Sequence, residues 1–531
     1  MNKIFNRLSK YEKFLFLAVC IANLFPIVSH RFFPSLDGPA HLYNANLINH
    51  MLLHSDLNSF FQFNSEIVPN LTGHVFLCFF KTFLPAYLAE KLLLITYFFG
   101  LAYAFRRLVK SINPEYLGLS YLVFPISYNF LFSLGFYNFS LGLIGLLLIL
   151  SFWIRHQQTL AGSWKKITQL SILFMLTYFS HILMFSVAGL ACACFLFSNF
   201  LSELLKKRTF REVFIREFKK GLALFVSSLI PLVLMFFYFS NRPDTGVKIY
   251  LPSEELTKWL NYFNPIICYH EGIESTLTRK LIYILYALLI GGISLRIIDH
   301  FSGEKKAFFR LNDTWLLLTG IMLLLLYKLP DNNGSASIIS MRFGLLFFLF
   351  LLIWISSMKQ AKWFMFICFT LLLATHFKRV RYFDSVVDQY NTTAINCAKA
   401  SDYVKPGSVV ATLNFTYWSQ AHFSNYLGID KSLVILDNYE ATMNYFPLLW
   451  NIQNLPDFQF GGKPITENPL FLTTPSNKHN QKREIDYLFV LGNWDSTNAD
   501  HLKTLQTISA NFIRSYKNEQ CTVYRRKGLA E

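Results

Sequence analysis

The sequence predicts an α-helical polytopic membrane protein that ends in a small α/β domain. Three observations predict it. Long apolar runs recur, such as "GLIGLLLILSFWI" and "TWLLLTGIMLLLLY", and of 531 residues 53% are hydrophobic and only 15% charged, against ~25% charged in an ordinary soluble domain. The alternating pattern of a membrane barrel is absent, and a lipid-embedded chain must then satisfy its backbone groups inside helices. Beyond about residue 377, short runs such as "SVVATL", "SLVIL", "DYLFVLG" and "CTVYRR" replace the long ones, which is strand patterning.

About eleven spans are expected, at roughly 14–30, 86–107, 117–133, 138–155, 166–181, 183–200, 220–240, 280–298, 314–329, 339–357 and 363–376. The first follows Lys3, Arg7, Lys10 and Lys13. No small-residue cleavage site comes after it, so it reads as an uncleaved span and not as a signal peptide. The segment 72–84, "TGHVFLCFFKTFL", is too short to cross at ~1.5 Å per residue. Its Phe76, Phe79, Phe80 and Phe83 form a one-sided stripe, so a helix lying along the membrane surface is expected. The division expected is a transmembrane domain over 1–376, whose first outer loop is 31–85, and an extracytoplasmic α/β domain over 377–531 with helices at 383–402 and 499–512.

The net charge of +17 finds its place in this map. With the N-terminus inside, the cytoplasmic stretches gather Arg106, Arg107, Lys110, Arg155, Lys165, Lys166, the run "KKRTFREVFIREFKK", Arg296, Lys305, Lys306, Arg310, Lys359 and Lys362. With the N-terminal four these make about 23 basic residues against about 8 acids, nearly the whole excess. The positive-inside rule accounts for the charge, and no nucleic-acid partner is needed. Most of the eight cysteines fall in apolar segments and read as packing; Cys397 and Cys521 lie in the tail and can pair if it faces an oxidising compartment.

Polar residues collect where spans should meet the outer surface. In "SLDGPAHLYNA", Asp37, His41 and Asn44 stand at i, i+4 and i+7, one face of a helix that Pro39 suits in its first turn. His74 lies in the short apolar segment, Tyr137 and Asn138 in "GFYNF", His181 in "YFSHIL", Asp331 in "LPDNNG" and Arg342 in "SMRFGLLFF". Each has an ordinary alternative. Asp37 can cap the next helix, His181 can be a polar turn residue, and Tyr137, Asn138 and Asp331 suit plain turns. Arg342 is harder to place that way, because a cation inside an apolar run is costly without an anion or a route to the interface. A carboxylate and a guanidinium at the outer leaflet suit chemistry on a lipid-linked phosphate, the fork holding phosphate oxygens and the carboxylate taking a proton.

The layout resembles the C-type (GT-C) membrane glycosyltransferases, in particular the protein mannosyltransferase and aminoarabinose transferase branches. The likeness covers roughly 1–376 and rests on "SLDGPAHLYNA" after the first span, "GHVFLCFFKTFLP" followed by "AYLAEKLLLITYFFGLAYAFRRL", "GFYNFSLGL" and "SMRF". It implies transfer of a sugar from a polyprenyl-phosphate donor to an acceptor on the outer face. Asp37 would be the catalytic base, Arg342 would hold the donor phosphate, and His41, Asn44, His74, Tyr137, Asn138 and His181 would line the site. The family's acidic pair is incomplete here, since Gly38 follows Asp37. No cofactor is expected. Asp37 and His41 can share a divalent metal, but two ligands without a third do not define a site. The rival expectations are a transporter or flippase of lipid-linked material and a non-catalytic scaffold of the same fold.

Overall fold

The structure is a computed structural model. It describes residues 2–206, 209–241, 246–302, 310–334, 336–451, 455, 485–493, 502, 506 and 508–529, with the backbone alone over 2–10. The expected cytoplasmic residues Lys207, Arg208, Lys305 and Lys306, and half of the expected 499–512 helix, lie outside these.

Among the described residues, eight helices are long and apolar enough to cross a membrane: Ala86–Ile112, Tyr137–His156, Ile182–Leu205, Phe210–Ser240, Glu271–Phe301, Leu311–Lys328, Ile339–Ser356 and Lys362–Tyr403. Each covers one expected span. The other three expected spans take other forms. The first is the helix Asn2–Asn23 followed by a separate turn at Phe25–Val28 containing Pro26. The segment 117–133 is a 3₁₀ stretch, Pro114–Val123, and two single turns, Phe124–Ser127 and Phe130–Ser133, not one helix. Pro114 and Pro125 withhold backbone donors there, and the Asn129 side chain restarts the helix by accepting from the Phe132 amide at 3.0 Å. Trp164–Ser180, at 17 residues, ends at His181, whose backbone is extended.

The chain forms two compact units. One comprises 1–25, 95–133 and 138–384; the other comprises 26–94, 134–137 and 385–531. The first is helical. Some of its buried polar groups pair within it: Arg379 donates to the Tyr128 carbonyl at 2.5 Å, and the His376 ring lies 2.6 Å from Asn23 Oδ1. Arg106 holds Glu12 with both guanidinium nitrogens, at 2.7 and 2.5 Å.

The second unit contains two sheets. Strands β1 (Phe61–Phe63) and β4 (Leu448–Trp450) pair antiparallel, with Phe61 stacked on Trp450 at 4.4 Å between ring centroids; such a contact adds about 1 kcal/mol beyond the area it buries. The larger sheet has the order β3-β2-β5-β7-β6, from β2 (Val409–Asn414), β3 (Val434–Ile435), β5 (Tyr487–Leu491), β6 (Phe512–Lys517) and β7 (Cys521–Arg526). Strand β2 runs parallel to β3 and β5, and β7 is antiparallel to β5 and β6. Strands β2 and β5 are apolar almost throughout and buried along their length, as expected of central parallel strands. The expected 383–402 helix is not separate: it is the end of a continuous 39-residue helix, Lys362–Ala400.

The helix Gly38–Leu53 is stitched to the tail along one face. Tyr43 donates to the Leu433 carbonyl at 2.7 Å and accepts from the Ile435 amide at 2.9 Å, Asn46 donates to the carbonyls of Gly428 and Lys431, and His50 meets Ser432 at 2.8 Å. This is how a loop some 390 positions away in sequence comes to share one site with the residues after β3.

Candidate functional site

The site is built from three stretches of the second unit: the Gly38–Leu53 helix with its entry turn, the turn 134–137, and the residues following β3. Asp37 occupies the N-cap position of that helix but makes no side-chain cap bond, and its backbone is helical (φ −93°, ψ −15°). Its carboxylate turns away and accepts from the Tyr439 hydroxyl, while His422 Nε2 stands 3.7 Å from Oδ1 and stacks its ring on Tyr439 at 4.3 Å. Burial pushes the Asp37 carboxyl up and Glu440 adds to this, with His41 and the Tyr439 bond opposing; the result is about 7.

One turn on, His41 reaches two acceptors. Its Nε2 faces the Gly135 carbonyl at 3.0 Å and its Nδ1 approaches Glu440 Oε1 at 2.6 Å. Glu440 Oε2 meets His74 Nε2 at 2.9 Å. These three side chains are almost fully enclosed, with His41 5%, His74 2% and Glu440 1% exposed. Burial alone would lower His41, but the Glu440 carboxylate, with Asp37 and the Gly135 carbonyl, raises it to about 9. Burial would raise Glu440, and the two imidazoles bring it to about 2. For His422 burial dominates and the ring falls to about 4. Asn44 and Asn438 close the cluster with a reciprocal amide pair, at 3.0 and 2.9 Å.

Gly135 makes this packing possible. Its φ is +84°, and a Cβ there would lie 2.8 Å from the Gly38 nitrogen, so both the conformation and the close approach require glycine. Gly38 has no room either: a Cβ would come within 3 Å of Tyr137 Oη and Glu90 Oε1. Glu90 lies against Gly38 and accepts from Tyr137 Oη at 2.7 Å, while that hydroxyl meets Ser35 at 3.0 Å.

Asp37, His41, Asn44, His74 and Tyr137 therefore share one unit. Asn138, His181 and Arg342 belong to the other. There His181 Nδ1 accepts from the Leu183 amide at 3.2 Å, so its proton sits on Nε2, which stands 3.4 Å from Arg342 Nη1. Two donors face each other. Asp331 caps the helix that carries Arg342, accepting from the Ser340 amide at 3.0 Å.

Sequence reasoning missed Glu90, His422, Tyr439 and Glu440. Signals existed for three of them. Glu90 is an acid entering an apolar span, a costly placement that asks for a partner. The "DNYEAT" run follows directly on an apolar strand, where parallel sheets place their functional loops. Comparison with protein-family models, characterised proteins and solved structures finds no match to this chain.

Proposed function

We propose that this integral membrane protein is a GT-C-like glycosyltransferase that moves a sugar from a polyprenyl-phosphate donor to an acceptor hydroxyl on the outer face, with Asp37 as base. The observation that carries the reading is that Asp37, placed to cap a helix, does not cap it and is instead enclosed among Tyr439, His422 and the His41–Glu440 pair. In the reaction the acceptor oxygen attacks the anomeric carbon, the bond from that carbon to the phosphate oxygen breaks, the hydroxyl proton passes to Asp37, and polyprenyl phosphate leaves. A carboxylate near neutrality suits that role.

The guanidinium of Arg342 at the start of an apolar helix, 3.4 Å from the His181 ring, supports the donor-phosphate role, because its fork can hold phosphate oxygens. His41, Asn44, His74, Tyr137 and Asn138 hold and shape the site. The three segments that are short or broken complete an eleven-span arrangement, with the N-terminus cytoplasmic, 72–84 along the membrane surface and the tail outside. The transport reading has less behind it: among the buried charges of the helical unit, Arg379 is answered by a backbone carbonyl and Glu274 by backbone amides, as structural residues would be.

Transfer from a panel of radiolabelled polyprenyl-phosphate sugars in membranes holding the chain tests the proposal. Arg342→Ala should weaken donor use strongly and Arg342→Lys should restore it only in part, since Lys keeps the charge and loses the fork. Transfer by Arg342→Ala at the wild-type level removes the phosphate role.

A further inference from the structure

The convergence of His41, His74 and Glu440 asks for a cation. Their ligand atoms lie within 4.8 Å of one another, and all three side chains are buried. The Gly135 carbonyl at His41 Nε2 can only accept, so it holds a proton on that nitrogen and turns Nδ1 toward the cluster. A metal-binding imidazole is held by the same contact. Nδ1 then stands 2.6 Å from Glu440 Oε1, a contact that either a shared proton or a cation can satisfy. The second oxygen of the same carboxylate faces a second imidazole, His74, at 2.9 Å.

We infer that His41, His74 and Glu440 form a binding site for one divalent transition-metal ion of the zinc class. Two imidazole nitrogens and a carboxylate match zinc and its neighbours, whereas magnesium and calcium favour all-oxygen shells. Three protein ligands leave a further position for water or a hydroxyl. The ligands come from the Gly38–Leu53 helix, the Thr72–Lys81 helix and the turn after β3, so the ion would also cross-link the first loop to the tail. The inference stands apart from the reaction proposed above, and its test reads metal and not transfer.

The full chain, purified in detergent with an affinity tag free of histidine, is stripped with a chelator and reloaded with Zn²⁺ or Co²⁺. Elemental analysis should give about one ion per chain, and the Co²⁺ form should show the visible absorption of a low-coordinate site. Glu440→Gln and His74→Ala should each weaken binding at least ~10-fold, the low end of what even outer-shell changes cost. Glu440→Gln keeps the shape of the side chain, so gel filtration separates lost binding from lost folding. His54→Ala alters the exposed histidine pair near Asp56 and should leave binding unchanged. A folded chain that retains well under one ion and gives no cobalt band overturns the site in favour of a shared proton. Loss of binding on His54→Ala with retention in His74→Ala overturns it equally.

Discussion

Asp437 shows how burial writes a pH dependence into this unit. Burial raises its carboxyl from 3.8 to about 7, with the hydroxyls of Ser424 and Thr412 opposing. Between those two values the folded chain keeps a proton that the unfolded chain has released. Stability from this group is therefore full below the unfolded value, falls as pH rises, and is gone above about 7. The difference corresponds to about 4 kcal/mol at most. Asp437→Asn, which cannot ionise, should gain on the wild type in thermal melts as pH rises from about 5 to about 8; identical pH profiles would contradict the assignment. Individual residues were legible in the sequence where spacing set them on one helix face, as with Asp37, His41 and Asn44. Glu440 was only half legible: its run follows an apolar strand, which marks a loop, but only the fold brings its carboxylate to two histidines.

Among elements, eight of the spans were readable from hydropathy, and in two of the other three proline interrupts the helix. Pro26 and Pro125 leave composition apolar while breaking the hydrogen-bond ladder, so a hydropathy window sees a span and the backbone forms turns. Strands β2, β3, β5 and β7 announced themselves as β-branched, apolar runs. Strands β1 and β4 did not, because each is three residues long and is fixed by its distant partner more than by its own pattern. The turn 134–137 is the element on which the site depends most. Gly135→Ala meets both a positive φ and a backbone atom 2.8 Å away, a strain of roughly 1–3 kcal/mol before the clash is counted. It should lower the melting temperature in detergent, and an unchanged melt would show that this turn can relax without cost to the site.

At the scale of the molecule, the excess of basic residues on alternate connections predicts the orientation. A cysteine placed at exposed Asp402, with the accessible native thiols replaced, should react with an impermeant maleimide added to intact cells. One at exposed Lys206 should react only after lysis. The reverse pattern would put the Asp37 cluster on the cytoplasmic side, away from the face on which the proposed acceptor is met. The proposed transfer turns on Asp37. Asn caps a helix about as well as Asp but cannot take a proton, so a side chain that merely capped would tolerate the change. The deciding measurement is transfer from a radiolabelled polyprenyl-phosphate sugar by Asp37→Asn, with its expression matched to the wild type. The account predicts normal insertion and a rate at least ~100-fold lower; transfer at the wild-type rate would contradict it.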